Sequence, residues 1–210
     1  MQLVGMLDSP YVRRVALSLR YLEIPFEQSE ISVFRSMDTF RKINPLLKAP
    51  SLVCDDGEVL MDSTLILQYV ERIAGEKKTL MPEAIADYQT AIRIIGLGLN
   101  ACDKSVQIEY ERKRPNDKQY QPWGDRIQSQ LVAAYDLIEP YAAEADDWLV
   151  GGQLSQADIT VGVAWQFTQF LMPDVINVHS YPAISVLSQR LEACPECLVT
   201  PIEPGWIAKV

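Results

Sequence analysis

The sequence predicts a mixed α/β domain followed by an all-helical domain. Three observations carry that class. The first eighty residues run strand, helix, strand, loop, hairpin, helix, an order that builds a small mixed sheet with helices on its faces. Strand signals almost vanish beyond Pro82. From there apolar residues recur at helical spacing over long stretches. The expected boundaries are residues 1–78 for the first domain, 79–86 for a linker and 87–210 for the helical domain.

Leu3-Val4-Gly5-Met6-Leu7 is a short apolar run that reads as a buried strand. The next segment carries Val12, Val15, Ala16, Leu19 and Leu22 on one helical face. Ser9 suits its N-cap, and Pro10 suits the first helical position because its missing N–H would have been unpaired there anyway. Ile24-Pro25-Phe26 ends this helix and a second strand follows through Ile31. Residues 32–44 are irregular or partly helical, and Pro45 to Lys48 form a loop. Ala49 to Cys54 enter a strand, Asp55-Asp56-Gly57 is a hairpin signal, and Val59-Leu60-Met61 returns. Asp62-Ser63 start another helix, whose expected apolar face is Leu65, Ile66, Tyr69, Val70 and Ile73, with Gly75 ending it. Glu76 to Pro82 is polar and punctuated. Long helical patterns then cover about Glu83–Arg112 and Trp123–Ala145, with further starts at Ser155 and Pro182. Ser155 and Asp158 are spaced as a capping box, with Leu154 and Ile159 as a hydrophobic staple.

The bulk properties narrow the function. The chain has 210 residues, 48% of them hydrophobic, enough for one large domain or two small ones. Its apolar runs are far shorter than a membrane span, and no export signal opens it, so a cytoplasmic protein without membrane attachment is expected. The formal net charge of −9 argues against a nucleic-acid partner, since such proteins gather positive charge to neutralise phosphates. The one basic cluster, Arg112-Lys113-Arg114, has acidic neighbours and reads as a solvated helix end. Four scattered cysteines do not make a disulfide framework. Metal ligands are too sparse to suggest a metal site.

The informative place is the corner at Ser9-Pro10-Tyr11-Val12-Arg13. A hydroxyl sits where a strand ends and a helix begins, beside first-turn N–H groups and the positive end of the helix dipole. Such a corner stabilises an anion, and a thiolate brought by a ligand fits the demand. A thiol of pKa about 8.5 is only a few per cent ionised at neutral pH, and lowering it roughly two units takes about 2.7 kcal/mol. One hydrogen bond to a charged group supplies about 1.5–3 kcal/mol. The helix terminus adds about 0.3–1 kcal/mol.

Four pieces in order, Ser9 to Arg13, Asn44-Pro45 with Lys48-Ala49-Pro50-Ser51-Leu52, Asp62-Ser63, and Ser155-Gln156-Ala157-Asp158, resemble the cytosolic glutathione transferase family over nearly the whole chain. The likeness is to its serine-type, bacterial-like members. It implies a thioredoxin-like first domain with a mixed four-stranded sheet, an all-α second domain that builds the electrophile pocket, a homodimer, glutathione as substrate, no metal, and a role in detoxification. By the same resemblance Ser9 holds the glutathione sulfur as a thiolate. Ala49 pairs its backbone with the cysteinyl unit beside a cis Pro50. Asp62 and Ser63 grip the γ-glutamyl end, and Lys48 meets the glycyl carboxylate. Tyr11, Phe34, Tyr110 and Trp165 are the candidates for the electrophile pocket.

Plainer readings exist for each residue. Ser9 alone is an ordinary N-cap, Tyr11 a packing residue, and Arg13 and Arg14 structural or solvated. His179, the only histidine, reads as a surface residue. Cys194-Pro195-Glu196-Cys197 has redox spacing, but the first helix, where such a pair is expected, carries Ser9 instead; the spacing alone assigns no role. Rival functions are a non-catalytic interaction protein on the same fold, and a glutathione-dependent disulfide or peroxide reductase.

Overall fold

A computed structural model describes residues 1–75 and 78–202. It divides into two compact units: residues 1–80 with the segment from Cys194, and residues 81–193.

The first unit holds a four-stranded sheet of short strands, β1 (Gln2–Val4), β2 (Glu27–Ser29), β3 (Ser51–Val53) and β4 (Val59–Met61), in the order β2-β1-β3-β4. β1 runs parallel to β2 and antiparallel to β3, and β4 returns antiparallel beside β3. The β3–β4 hairpin closes with Cys54 N–H donating to the Glu58 carbonyl at 2.8 Å, and Gly57 in the turn has φ +90°. Helices α1 (Pro10–Tyr21), α2 (Met37–Ile43) and α3 (Ser63–Ala74) complete this part, with α1 and α3 packed on each other. The expected face of α1, from Val12 to Leu22, is buried.

One expectation needs correction. On α3 the chain buries Ile66, Leu67 and Val70, whereas Leu65, Tyr69 and Ile73 stay 59%, 38% and 45% exposed. This helix carries two apolar stripes, and periodicity alone does not say which faces the sheet. Of the two readings of Arg13 and Arg14, structural or solvated, the structure takes the first: both are fully buried. Arg13 Nε donates to the Thr200 carbonyl at 2.9 Å, and Arg14 donates to the hydroxyls of Ser63 and Thr64 at 3.1 and 3.2 Å. A buried guanidinium needs such acceptors, and here they come from other segments of the same unit.

The second unit contains α4 (Ile85–Arg112), α5 (Gln121–Glu144), α6 (Gln156–Leu171) and α7 (Pro182–Glu192). α6 is buried almost throughout and packs on α4 and α7. Its start is the expected capping box. The Asp158 carboxylate accepts from Ser155 N–H at 2.8 Å and Ser155 Oγ at 2.7 Å, while Ser155 Oγ accepts from Ala157 N–H at 3.2 Å. The second carboxylate oxygen accepts Leu149 N–H at 2.8 Å, tying the preceding loop to the helix start. The basic cluster is matched by acids: Arg112 with Asp174, Lys113 with Glu109, Arg114 with Glu111. His179 lies exposed in a 3-10 turn.

A short last helix, α8 (Pro195–Leu198), packs on α1 and so belongs with the first unit, although the sequence assigned 87–210 as a whole to the helical domain. No helix among the described residues is long and apolar enough to cross a membrane.

Candidate functional site

The register of the sheet gathers the candidate residues. Ser29, Val4, Ser51 and Met61 form one row across all four strands. Just beyond that row the chain leaves β1 toward Ser9, enters β3 from Ala49 and Pro50, and leaves β4 into Asp62 and Ser63. Ser9, Ala49, Pro50, Asp62 and Ser63 therefore stand at one end of one sheet. Gly5 is where this end closes. It has φ +142°, and a Cβ there would come within 2.6 Å of Val12 Cγ2 and 3.3 Å of Ala49 Cβ. Only glycine lets β1, α1 and the Ala49 edge approach this closely.

Ser9 occupies the N-cap position of α1 with extended backbone, and its carbonyl accepts Arg13 N–H at 2.9 Å. Its hydroxyl makes no cap hydrogen bond. The first-turn N–H groups of α1 have no intrahelical acceptor, and the positive end of the helix dipole lies at this start.

The Ala49–Pro50 peptide is cis. The loop before it is pinned by Asn44, whose amide donates to Ser51 Oγ at 2.9 Å and whose carbonyl oxygen accepts Leu46 N–H at 3.0 Å. Ser51 Oγ in turn donates to the Lys48 carbonyl at 2.7 Å. Lys48 itself is exposed. Asp62 sits at φ +68° and accepts Thr64 N–H at 2.9 Å, capping α3. Ser63 is buried, with its hydroxyl accepting from Arg14. A carboxylate arriving here would meet a helix start, where anions are favoured.

The pocket candidates do not behave alike. Phe34 and Tyr110 are exposed and Tyr11 is half-buried. Trp165 is 3% exposed, with its ring edge-on to Tyr135 at 5.2 Å and to Tyr181 at 5.9 Å. It packs in the core of the helical unit.

Sequence reasoning missed Asp8, which is buried beside Ser9 with one carboxylate oxygen lacking any hydrogen-bond partner. Burial raises its pKa to about 6, against the pull of Arg35 and of nearby backbone N–H groups. A carboxyl whose native pKa exceeds its unfolded one stabilises the fold below the unfolded value, near pH 4, and that stabilisation is lost as pH rises through about 6. Asp8→Asn is therefore expected to melt above the wild type at pH 7.5, with the gap shrinking as pH falls from 6 to 4. Thermal melts across that range check it, and a gap independent of pH would refute the assignment. Among the described residues no group of three or more His, Cys, Asp or Glu side chains could hold a metal ion.

Residues 3–78 match the family described as glutathione S-transferase, N-terminal domain, and residues 121–194 match glutathione S-transferase, C-terminal domain. A probable cytosolic glutathione S-transferase of rice (Oryza sativa subsp. japonica) is 25% identical, covering 97% of this chain and 91% of its own. The crystal structure of a glutathione S-transferase from Methylobacterium radiotolerans in complex with glutathione sulfonate superposes with a TM-score of 0.88 at 28% identity, covering 95% of this chain and 93% of its own. A glutathione transferase family member from Pseudomonas fluorescens Pf-5 with bound glutathione gives 0.83 at 25% identity, covering 96% and 98%. With both domain families matched in order on a four-stranded sheet followed by a helical unit, the chain belongs to the glutathione S-transferase family.

Proposed function

We propose that this chain binds glutathione at the sheet end described above and transfers its thiolate to a small hydrophobic electrophile. The observation that carries the reading is the Ser9 hydroxyl, unspent on capping, at the start of α1. In this reading it donates a hydrogen bond to the bound sulfur and, with the α1 amides, holds it as the thiolate. It need not take a proton; the proton leaves to solvent as the sulfur binds. Ala49 pairs its backbone with the cysteinyl unit, Asp62 and Ser63 receive the γ-glutamyl end, and Lys48 meets the glycyl carboxylate. Arg14 positions Ser63 from behind. Holding nucleophile and electrophile together then adds the advantage of proximity. Tyr11, Phe34, Tyr110 and Trp165 are the candidate electrophile contacts. The setting is cytoplasmic detoxification.

Glutathione is expected to raise the melting temperature, because a ligand that binds only the folded state stabilises it by mass action. At ten times its dissociation constant the gain is about 1.4 kcal/mol, or roughly 3–6 °C for a chain of this size. Turnover with aryl halides, epoxides, peroxides and mixed disulfides then identifies the reaction. No shift at millimolar glutathione would favour the interaction-protein reading instead.

We further propose a homodimer. Leu65, Tyr69 and Ile73 leave an apolar stripe open on α3, and Ile85, Tyr88 and Ile92 leave another on α4. Stripes of this kind mark protein contacts. Sedimentation velocity of the full chain is expected to give twice the monomer mass, and a monomer at micromolar concentration would exclude it.

A further inference from the structure

The Cys194–Cys197 turn is absorbed by nothing above. Cys194 is the N-cap of α8, Pro195 its first residue and Cys197 its third. The turn is closed by Cys197 N–H donating to the Cys194 carbonyl at 3.0 Å. A four-residue turn holds its end Cα atoms within about 7 Å, and a disulfide needs about 4.4–6.8 Å. The two thiols also differ in access: Cys194 is half-buried, while Cys197 is 1% exposed.

The surroundings suit sulfur chemistry. Tyr21, the last residue of α1, has a buried hydroxyl beside the Cys194 thiol. Burial first, and then the neighbouring Cys194 thiol, keep that hydroxyl protonated far above its usual range. It is a standing O–H donor for a thiolate forming at Cys194. An open cleft of about 510 Å³ runs along the same turn, between Arg20, Glu23 and Phe26 on one side and Pro195, Glu196 and Val199 on the other. α1 has 12 residues, so Tyr21 lies about 18 Å along the helix from its Ser9 end. The two places are separate sites on one unit.

We propose that Cys194 and Cys197 are a redox-active dithiol that exchanges with low-molecular-weight disulfides. Cys194 loses its proton to solvent and its thiolate attacks one sulfur of the disulfide. That S–S bond breaks, one thiolate leaves and takes a proton, and a mixed disulfide remains on Cys194. Cys197, deprotonated in turn, attacks the Cys194 sulfur and expels the second thiol. Two cysteine thiols are oxidised by two electrons, and one disulfide is reduced to two thiols. The more accessible residue, Cys194, is the attacking sulfur and the buried one resolves the intermediate.

The test equilibrates the reduced full-length chain with glutathione and glutathione disulfide in varied ratios, quenches with acid, alkylates after denaturation and maps the cysteines by mass spectrometry. Two of the four thiols, Cys194 and Cys197, are expected to disappear from alkylation together as a single internal disulfide. Cys197→Ser is expected to retain one glutathione on Cys194, and Cys194→Ser to form neither product. The proposal is overturned if the wild-type pair stays alkylatable up to pure glutathione disulfide, or if Cys194 keeps its glutathione without resolution. The wild-type map decides by itself, so a poorly folding variant does not blunt the result.

Discussion

Ser9→Ala is expected to lower kcat/KM for glutathione conjugation by about tenfold to a hundredfold while leaving stability nearly unchanged. The rate effect follows from one hydrogen bond to a charged group, about 1.5–3 kcal/mol, at 1.4 kcal/mol per tenfold. Stability is spared because the hydroxyl makes no cap hydrogen bond. A working serine cap removed to alanine costs about 0.5–2 kcal/mol, but here no bond is lost, and a change within about 0.5 kcal/mol is expected. The split between the two readouts separates a sulfur-binding hydroxyl from a structural one. A third readout is sharper still. The ultraviolet absorbance of the bound thiolate, titrated against pH, should move up toward the free-thiol value near 8.5 in the variant. A variant with full activity and an unmoved titration would remove Ser9 from the mechanism.

Why this corner was legible in the sequence, and others were not, has a physical answer. Ser9-Pro10 and Asp62-Ser63 announce themselves because helix starts use few residue types, for reasons of unpaired N–H groups. The hairpin at Asp55-Asp56-Gly57 is similarly local. Each of these elements is decided within a handful of residues. What the sequence leaves open depends on neighbours distant in the chain. Whether Arg13 and Arg14 are structural or solvated stays open until Thr200, Ser63 and Thr64 are brought to them. Leu65, Tyr69 and Ile73 are as apolar as the stripe that α3 buries, and only the sheet chooses between them. Trp165 has helical spacing whether it lines a pocket or fills a core. Asp8 gives no local signal, since its titration comes from burial. Asn44 sits in the middle: Asn-Pro marks a turn, but its grip on Ser51 appears only once β3 is placed.

Asp158→Ala is expected to cause the largest loss of stability, about 3–5 kcal/mol, with the proposed glutathione site intact. Its carboxylate accepts from Leu149 N–H, Ser155 N–H and Ser155 Oγ, all buried. Alanine strands two backbone N–H groups, each costing about 1–3 kcal/mol when left unpaired, and weakens the start of a helix buried along nearly its whole length. The charge itself is not what is lost. Burial holds this carboxyl above its usual pKa even though hydrogen bonds from Leu149, from Ser155 and from its own backbone N–H pull it back, so the fold does not favour the ionised form over the neutral one. Acceptance of hydrogen bonds is the contribution. Asp158→Asn should therefore fall between wild type and alanine, since its carbonyl keeps one acceptor while its amide faces a donor. Urea denaturation orders the three proteins, and at about 2–4 °C per kcal/mol the alanine variant should melt roughly 10 °C below wild type. Measured at low temperature on folded protein, its conjugation rate should stay within a few-fold of wild type. A stable alanine variant with lost activity would place Asp158 in the chemistry and not in the fold.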